Sequence, residues 1–299
     1  MKDKVLVVGM DGLRFDRLLA LRPKVLGELL DTGVHGTSLL PYGEAEAVST
    51  GAKGEVVRLG ERAIASRTDS GPGWSSIATG VWPDKHGVVD NSFTAPDFAK
   101  YPDFLTRAKR ANPSLTTSAL FSWAALAEHG AFGEKIDTRV VLDGFAITFT
   151  EGDKQIADAA ERHFAEQAPD LSFVYFGDTD EVAHRLGPHC PEYTDALHTQ
   201  DNYLGRVLTS IKNRPSYPAE RWTILVTTDH GHLDEGGHGG VSPEERTAFV
   251  IAARLGENLG GHTLPEARLV DIAPTALAQL GITPTPTPAW NLDGHPLPL

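Results

Sequence analysis

Acidic and histidine side chains follow three of the β-rich segments of this sequence, in positions where they could bind metal ions. Asp11 follows the apolar run VLVVGM, and Asp229 and His230 directly follow TILVTT. Asp180 and His184 come shortly after SFVYF, and their i, i+4 spacing on a helix places a carboxylate and an imidazole on one face. Carboxylate oxygens and imidazole nitrogens are ligands of Zn²⁺, so these five residues are candidate metal ligands.

The glycine-rich segment GHLDEGGHGG, which follows His230, contributes two more histidines, His232 and His238. Several histidines beside an aspartate at a strand end favour metal binding over the hydrogen-bonding role that a lone histidine usually has. Taken alone, Asp11 has a structural alternative as a turn or helix-capping residue, and the pair at positions 180 and 184 has one as a solvated surface contact.

Ser70 begins the segment SGPGWSSIATG and is the candidate nucleophile. Pro72 is typical of the first turn of a helix, which places Ser70 at or just before a helix N-terminus. A serine there is commonly an N-cap, but the helix dipole and free N–H groups also stabilise an alkoxide and a bound phosphate. A neighbouring cation would lower the pKa of the Ser70 hydroxyl further.

Composition restricts the chemistry and the partners. With Cys190 as the only cysteine, the chain can form neither an internal disulfide nor a thiolate metal cluster. The net charge of −13 argues against a nucleic-acid-binding surface, which needs clustered lysine and arginine. The apolar run near the N-terminus is too short for a signal sequence or a membrane span, so a cytoplasmic location without membrane contact is expected.

Short β-rich runs alternate with helical patterns from end to end of the sequence. This alternation predicts an α/β fold with a mostly parallel central sheet and helices on both faces, formed as a single domain over residues 1–299. The predicted strands cover residues 4–9, 118–121, 172–176, 223–227 and 247–252. The predicted helices cover residues 14–30 with an interruption near Pro23, 74–79, 104–111, 153–167, 193–212 and 271–280. Residues 42–70 are interpreted as an edge hairpin or a loop that leads into the site.

Open α/β sheets place their ligands at the carboxyl ends of the strands, so the candidate residues are expected to converge there.

Five sequence motifs, in this order, are similar to motifs of a known family: VVGMDG, SGPGWSSIATGVWPDKHGVVDN, GDTDEVAHRLGP, TTDHG, and LVDIAPTALAQLGI with LDGHPL. The chain resembles the alkaline phosphatase superfamily, in particular its type I phosphodiesterase and nucleotide pyrophosphatase branch. The resemblance covers almost the whole length.

The resemblance implies two divalent metal ions, Zn²⁺ with Mn²⁺ as the alternative, and assigns their ligands. One ion would be held by Asp180, His184 and His238, with His232 as the rival of His238. The other would be held by a second set of side chains, namely Asp11, Asp229, His230 and the nucleophile Ser70. His86 and Asp271 match family positions that are interpreted as structural.

Departures from the family pattern bear on specificity. Gly73 stands where the nucleotide pyrophosphatases have an asparagine that binds phosphoryl oxygens, and backbone N–H groups or Asn91 are the candidate replacements. Gly73, Trp74 and Asn91 are therefore the candidate substrate-binding residues. Sulfatases have an arginine at the position of Trp74, so a sulfatase is disfavoured, and a phosphoglycerate mutase would need an inserted domain for which the chain has no room.

The function expected from the resemblance is hydrolysis of a small-molecule phosphate ester by a two-metal phosphodiesterase or nucleotide pyrophosphatase, through a covalent phosphoserine. A phosphomonoesterase acting on a small metabolite phosphate is the nearest alternative. A phosphoryl transferase would share the same site residues. A catalytically inactive binding module of the same fold is an alternative from another class, although a degenerate relative should have lost a ligand. The oligomeric state is left open.

Replacement of the nucleophile is the direct test of these assignments. Ser70→Ala should abolish turnover, because no other hydroxyl would attack phosphorus, and should leave about two metal ions bound, as a two-metal site requires. Thr68→Ala is the matched control. Substantial activity in Ser70→Ala, measured together with metal content, would instead identify Thr68 as the nucleophile.

Overall fold

A computed structural model describes residues 1–43, 58–59, 62–283 and 290–299, with only the backbone at positions 58, 59, 62 and 63. Within these ranges, eight strands form a mixed sheet in the order β11-β2-β10-β9-β1-β8-β6-β7. Their bounds are β1 Lys2–Met10, β2 Val34–Leu39, β6 Thr117–Phe121, β7 Thr138–Val141, β8 Leu171–Phe176, β9 Glu220–Thr227, β10 Thr247–Arg254 and β11 His262–Thr263.

The five strands β9, β1, β8, β6 and β7 are parallel neighbours, and only β10 runs against the others in the described sheet. The prediction of a mostly parallel sheet is therefore confirmed. All five strands that the sequence predicted are present, each extended at one or both ends. The strands β2, β7 and β11 were not predicted; they lie at or next to the sheet edges and lack the long apolar runs of the central strands.

Side chains of β1 alternate between the two faces of the sheet and enter two separate cores. Val5 and Val7 belong to the core on one face, and Leu6 and Val8 belong to the core on the other. All four are at most 1% exposed, which explains why β1 reads as a continuous apolar run rather than an alternating one. Helices cover both faces, as the sequence predicted.

Twelve α-helices flank the sheet within the described residues. They are α1 Phe15–Leu21, α2 Lys24–Thr32, α3 Ser70–Thr79, α4 Pro83–His86, α5 Phe104–Ala111, α6 Ala125–Glu128, α7 Gly144–Ile147, α8 Phe149–Glu166, α9 Asp178–Leu186, α10 Pro191–Lys212, α11 Pro243–Arg246 and α12 Ile272–Gln279. The predicted helix over 14–30 is two helices, because Arg22 adopts a left-handed conformation and Pro23 caps the second helix.

The segment 42–70 is described in part. Strand β3, Tyr42–Gly43, pairs in parallel with β5, Arg62–Ala65, and β4, Arg58–Leu59, pairs with β5 in the antiparallel direction. The antiparallel pair agrees with the predicted hairpin, whereas residues 44–57 and 60–61 lie outside the described ranges.

The order of the central strands determines where the candidate residues meet. Strand β1 lies between β8 and β9, with Met10 opposite Phe176 and Gly9 opposite Thr227. The three strands therefore end at nearly the same level of the sheet. The segments that carry Asp11, Asp180 and Asp229 follow these ends, so the sheet brings together residues that are far apart in sequence.

None of the helices in the described part of the chain combines the length and the apolar character needed to span a membrane.

A substitution at Gly73 tests how tightly α3 packs against Asp229, which follows β9. A Cβ atom at Gly73 would lie 2.6 Å from Asp229 Cβ and 2.9 Å from Asp229 O. We therefore expect Gly73→Ala to lower the free energy of unfolding by roughly 1–3 kcal/mol, as overpacking of a core does. Urea unfolding monitored by circular dichroism measures this difference.

The matched control is Gly27→Ala in α2, where the new Cβ would meet its nearest neighbour, Arg22 O, at 3.6 Å. The same chemical change should there be neutral or stabilising by about 0.5–1 kcal/mol, because alanine is the better helix former. Equal stability of the two variants would contradict the close packing of α3.

Candidate active site

Asp11, Asp229 and His230 form a buried cluster where β1 and β9 end. The Nε2 atom of His230 lies 3.4 Å from Asp11 Oδ1 and 3.3 Å from Asp229 Oδ2. All three side chains are at most 2% exposed. One carboxylate oxygen of each aspartate, Asp11 Oδ1 and Asp229 Oδ2, is buried without a hydrogen-bond partner among the described residues.

The other oxygen of Asp11 is held firmly. Asp11 Oδ2 accepts hydrogen bonds from Trp74 Nε1 at 2.8 Å and from the Tyr175 hydroxyl at 2.6 Å. These two donors fix the carboxylate so that Oδ1 faces His230. Trp74 is thus a partner of a candidate ligand, and its ring is fully buried rather than exposed to substrate.

Asp180 is the centre of a second cluster, which contains three histidines. Asp180 Oδ1 lies 2.7 Å from His232 Nε2 and 3.5 Å from His238 Nε2, and Asp180 Oδ2 lies 3.4 Å from His184 Nε2. Ligand atoms of Asp180, His230, His232 and His238 fall within 4.8 Å of one another, as do those of the first cluster. His230 belongs to both groups, so the two clusters adjoin.

His184 and His238 face each other through ring nitrogens. The Nε2 atoms are 2.9 Å apart, and the Nδ1 atom of His238 lies 2.6 Å from the carbonyl oxygen of Thr68. The Nδ1–H group of His238 donates a hydrogen bond to that carbonyl, which leaves the Nε2 lone pair of His238 directed toward the cluster. The predicted set of Asp180, His184 and His238 is therefore brought together, with the rival His232 beside it.

Gly12 makes the close approach of the two clusters possible. It adopts a positive φ of 59°, and a Cβ atom there would lie 2.5 Å from His232 Nε2 and 2.8 Å from Asp180 Oδ1. The turn after β1 therefore requires glycine for its backbone conformation and for space.

Ser70 is the first residue of α3 and points its hydroxyl at the metal-ligand candidates. Its Oγ lies 3.2 Å from His230 Nε2, and the residue is 6% exposed. Thr68, the alternative nucleophile, is fully buried; its hydroxyl donates to Gly240 O and accepts from Gly239 N. Thr68 thus holds the glycine-rich segment, whereas Ser70 faces the clusters.

Burial sets the direction of the pKa shifts of Asp11, Asp229, His230 and His238. It raises the pKa of Asp11 to about 7, with repulsion from Asp180 as the next cause, and together with repulsion from Asp11 it raises that of Asp229 well above the usual range. Burial also lowers the pKa of His238 to about 4 and that of His230 well below its usual value. Asp180 differs, because hydrogen bonds with His184 and His232 outweigh burial and hold its pKa well below the usual range, and the Asp180 carboxylate in turn raises the pKa of His184. An ionised Asp180 beside the neutral His230 and His238 forms a site suited to a cation.

A divalent cation fits these residues on structural grounds. The unpartnered oxygens Asp11 Oδ1 and Asp229 Oδ2 are buried acceptors, and a buried acceptor without a partner is costly. The Nε2 atoms of His184 and His238 face each other, and the lone pairs of both could coordinate a cation. Nitrogen and oxygen ligands without sulfur suit Zn²⁺ and also Mn²⁺.

A cavity of about 270 Å³ opens next to the clusters. Asp11, Ser70, Asp180, His184 and His238 form its polar side. Its other lining residues are Asn91, Trp123, Ala125, Phe145, Phe149, Tyr175 and Glu181.

The three candidate substrate-binding residues have different places. Asn91 lines the cavity, and its Oδ1 accepts a hydrogen bond of 2.6 Å from Gly71 N. Gly73 and Trp74 lie behind the clusters, against Asp229 and Asp11 respectively, and are not part of the lining.

His86 and Asp271, interpreted as structural from the sequence, lie outside the cavity lining. His86 is fully buried, with Nε2 3.0 Å from Ser76 Oγ, and Asp271 accepts hydrogen bonds from Arg268 and from His295 N.

Sequence reasoning missed the aromatic part of the cavity. Trp123, Phe145 and Phe149 come from three different segments, and Tyr175 lies within a strand that reads as core. Phe145 is 74% exposed, which is unusual for a phenylalanine, but exposure cannot be read from the sequence.

Comparison with solved structures defines the fold. Murine ectonucleotide pyrophosphatase/phosphodiesterase 5, solved as an inactive variant in complex with AMP, matches with a TM-score of 0.68 over 95% of this chain and 96% of that chain, at 15% identity. A protein of the alkaline phosphatase superfamily from Vibrio parahaemolyticus matches with a TM-score of 0.61 over 100% and 71%, at 14% identity. The fold is therefore alkaline phosphatase-like.

The model of the type I phosphodiesterase/nucleotide pyrophosphatase family matches residues 66–247, and the chain belongs to this family of hydrolases. An uncharacterized pyrophosphatase/phosphodiesterase of Schizosaccharomyces pombe is 23% identical over 76% of this chain and 44% of its own length. Human ectonucleotide pyrophosphatase/phosphodiesterase family member 7 is 32% identical over 25% of this chain and 16% of its own. The chain spans less than half the length of these curated relatives.

The pH dependence of the metal-free protein tests the electrostatics of the clusters. Asp11 has a pKa of about 7 when folded against an ordinary value of 3.8, so the folded state binds more protons between these limits. Its contribution to stability therefore falls as pH rises from about 4 to about 7. We expect Asp11→Asn to stabilise the metal-free protein, with a gain that grows by roughly 1 kcal/mol per pH unit over that range.

Urea unfolding of chelator-treated protein at several pH values measures this gain. Asp195→Asn, at an exposed position on α10, is the control and should change little. Addition of zinc should reverse the order of wild type and Asp11→Asn, because the variant lacks a ligand oxygen. A difference between the two proteins that does not vary with pH would rule out a buried, ionising Asp11.

Proposed function

We propose that the protein is a metal-dependent phosphodiesterase in which Ser70 attacks phosphorus. The observation that carries this proposal is the position of Ser70 Oγ, 3.2 Å from His230 Nε2, at the start of a helix and on the wall of a cavity. His230 adjoins both candidate metal clusters. A hydroxyl in this place has the surroundings that lower its pKa and stabilise negative charge.

The two clusters supply ligands for two divalent ions. Asp11, Asp229 and His230, with Ser70, would hold one ion, and Asp180, His184 and either His238 or its rival His232 would hold the other. Two such ions supply Lewis-acid stabilisation for the attacking and leaving oxygens of an in-line displacement. The three aspartates bring three negative charges, so two divalent ions would leave the site with a net positive charge that attracts a phosphate ester.

Asn91 is the proposed donor to a phosphoryl oxygen. Its Oδ1 is engaged by the backbone N–H of Gly71, the residue after the nucleophile, so its Nδ2 is the free end of the amide. Because Asn91 lines the cavity and its amide is fixed beside Ser70, it can take the role that Gly73 cannot perform. The N-terminus of α3 contributes a favourable dipole to the same place.

In the first chemical step, Ser70 Oγ forms a bond to phosphorus while the bond to the leaving oxygen breaks. The proton of the Ser70 hydroxyl passes to solvent, and the leaving group departs as an alkoxide or phenoxide that takes up a proton. Water then attacks the phosphoserine, which breaks the bond to Ser70 Oγ and returns the serine to its starting state.

The lining of the cavity favours a diester over a monoester. Among the described residues that line it there is no lysine or arginine, so the cavity has no side chain to neutralise the second charge of a monoester dianion. A diester carries only one negative charge, and its second substituent needs a place of its own.

The cavity offers that place. Trp123, Phe145 and Phe149 form an aromatic wall, and a neighbouring cavity of about 400 Å³ shares Phe145, Phe149 and Glu181 with the first. Aromatic rings favour planar or apolar groups by stacking and by burial of surface. The relative that was solved with AMP is consistent with a nucleotide-type ester.

A comparison of two chromogenic substrates tests the diester proposal. We expect kcat/KM for bis(p-nitrophenyl) phosphate to exceed that for p-nitrophenyl phosphate by at least about tenfold, or about 1.4 kcal/mol of transition-state stabilisation. Phe145→Ala should reduce the preference, because it removes aromatic surface that would hold the second substituent, which only the diester has. The control is Leu19→Ala, which removes an exposed apolar side chain. Phe15→Ala is unsuitable because Phe15 packs against the core.

Faster hydrolysis of the monoester by the zinc-loaded wild type would overturn the diester proposal in favour of a phosphomonoesterase. Absence of turnover with both substrates, in protein that retains two metal ions, would instead favour the inactive binding module.

A further inference from the structure

Asp153 is a buried carboxylate outside the proposed metal ligands, and it is 1% exposed. It lies on α8 and accepts hydrogen bonds from four donor groups, which belong to three other segments of the chain. Ser122 Oγ donates to Oδ1 at 2.6 Å, and Gln200 Nε2 donates to Oδ2 at 3.0 Å. The backbone N–H groups of Gly177 and Asp178 donate to the same carboxylate at 2.9 Å each.

The two backbone donors belong to the start of α9, the helix that carries Asp180 and His184. The N-cap residue of α9 is Gly177, which has no side chain to satisfy the first N–H groups of the helix. A side chain at position 177 would collide with the Phe149 ring. The cap is therefore supplied from another helix, by Asp153.

A second branch of hydrogen bonds leads from Asp153 to Asp11. The Gln200 side chain donates to Asp153 Oδ2 and its Oε1 lies 3.1 Å from the Thr179 hydroxyl. Thr179 Oγ1 in turn donates to the carbonyl oxygen of Asp11 at 2.7 Å. Gln200 and Thr179 are fully buried, so solvent does not compete for these bonds.

We propose that Asp153 is a positioning residue that fixes the distance between the two metal clusters. It holds the start of α9, and thus Asp180, directly, and through Gln200 and Thr179 it is connected to the backbone of Asp11. The inference rests on the proposed function, since it assigns Asp153 a role in a site whose metal ions are themselves proposed.

The contacts favour an ionised carboxylate at this position, in opposition to burial, which raises the pKa of Asp153 to about 7. Four donors converge on two oxygens, and a carboxylate has about four acceptor sites and no donor. An asparagine of the same shape would turn an NH₂ group toward at least one of these donors. Asp153→Asn therefore changes one functional group, keeps the volume of the side chain, and breaks the network.

Zinc binding and turnover of Asp153→Asn provide the test, with competition against a chromophoric chelator as the measure of affinity. We expect the weaker of the two zinc ions to bind roughly 10- to 100-fold less tightly than in wild type, the range typical of outer-shell changes. The visible spectrum of the Co²⁺-substituted protein should change as well, because the ligand geometry changes. At saturating zinc, kcat should remain reduced.

Ser122→Ala is the matched control, because it removes one hydrogen bond from the same carboxylate without touching α9 or Gln200. It should lower thermal stability but leave zinc affinity and the Co²⁺ spectrum unchanged. An equal loss of zinc affinity in Ser122→Ala would show general destabilisation and would overturn the positioning role.

Thr179 gives a second variant in case Asp153→Asn does not fold. Thr179→Val keeps the shape of the side chain and removes the donor to Asp11 O, so it should weaken zinc binding, whereas Thr179→Ser should restore it. Normal zinc affinity and a normal Co²⁺ spectrum in both Asp153→Asn and Thr179→Val would overturn this inference alone. A wild-type protein that binds no metal would overturn the proposed function, and the inference with it.

Discussion

Repulsion among three carboxylates, of which Asp11 and Asp229 are buried and Asp180 is partly buried, is the interaction on which the arrangement of the site depends. The strand order β9-β1-β8 brings Asp229, Asp11 and Asp180 to one edge of the sheet, where little solvent reaches them. Trp74 and Tyr175 offset part of the cost at Asp11 by donating to one oxygen. The remaining oxygens of Asp11 and Asp229 lie near His230, which burial keeps neutral, so their stabilisation is completed by protons or by cations.

Close packing behind the carboxylates keeps them from moving apart. Gly12 lies against Asp180 and His232, and Gly73 lies against the backbone of Asp229. A larger residue at position 12 would push the candidate ligands Asp180 and His232 apart, and one at position 73 would displace the candidate ligand Asp229. The departure at Gly73 from the family pattern thus has a packing explanation in this chain.

Much of the fold was predictable because its signals are local. Long apolar runs identify β1, β8 and β9, and Asp103 caps a helix whose predicted bounds, 104–111, agree with those of α5. Edge strands such as β2 were missed, since their residues lack such runs. The sequence predicted one helix with an interruption near Pro23, whereas the structure has two separate helices. Tertiary packing decides whether a helix bends or ends at such a position.

The ligand candidates were predictable from motifs, whereas their partners were not. Asp11, Asp229 and Ser70 lie in short segments that can be recognised in the sequence, and the structure brings them together. Tyr175 reaches Asp11 across 164 positions of the chain, and Asp153 reaches the start of α9 from another helix. Sequence spacing also could not choose between His232 and His238, since both lie near Asp180.

Burial of α3 has a stereochemical consequence. All ten residues of this helix are buried, so the backbone that carries Ser70 is held in place beside the cavity. In the proposed double displacement, water would approach phosphorus from the open side of the cavity, which is the side from which the first leaving group departs. Two in-line attacks, each with inversion, then give a product with net retention of configuration at phosphorus.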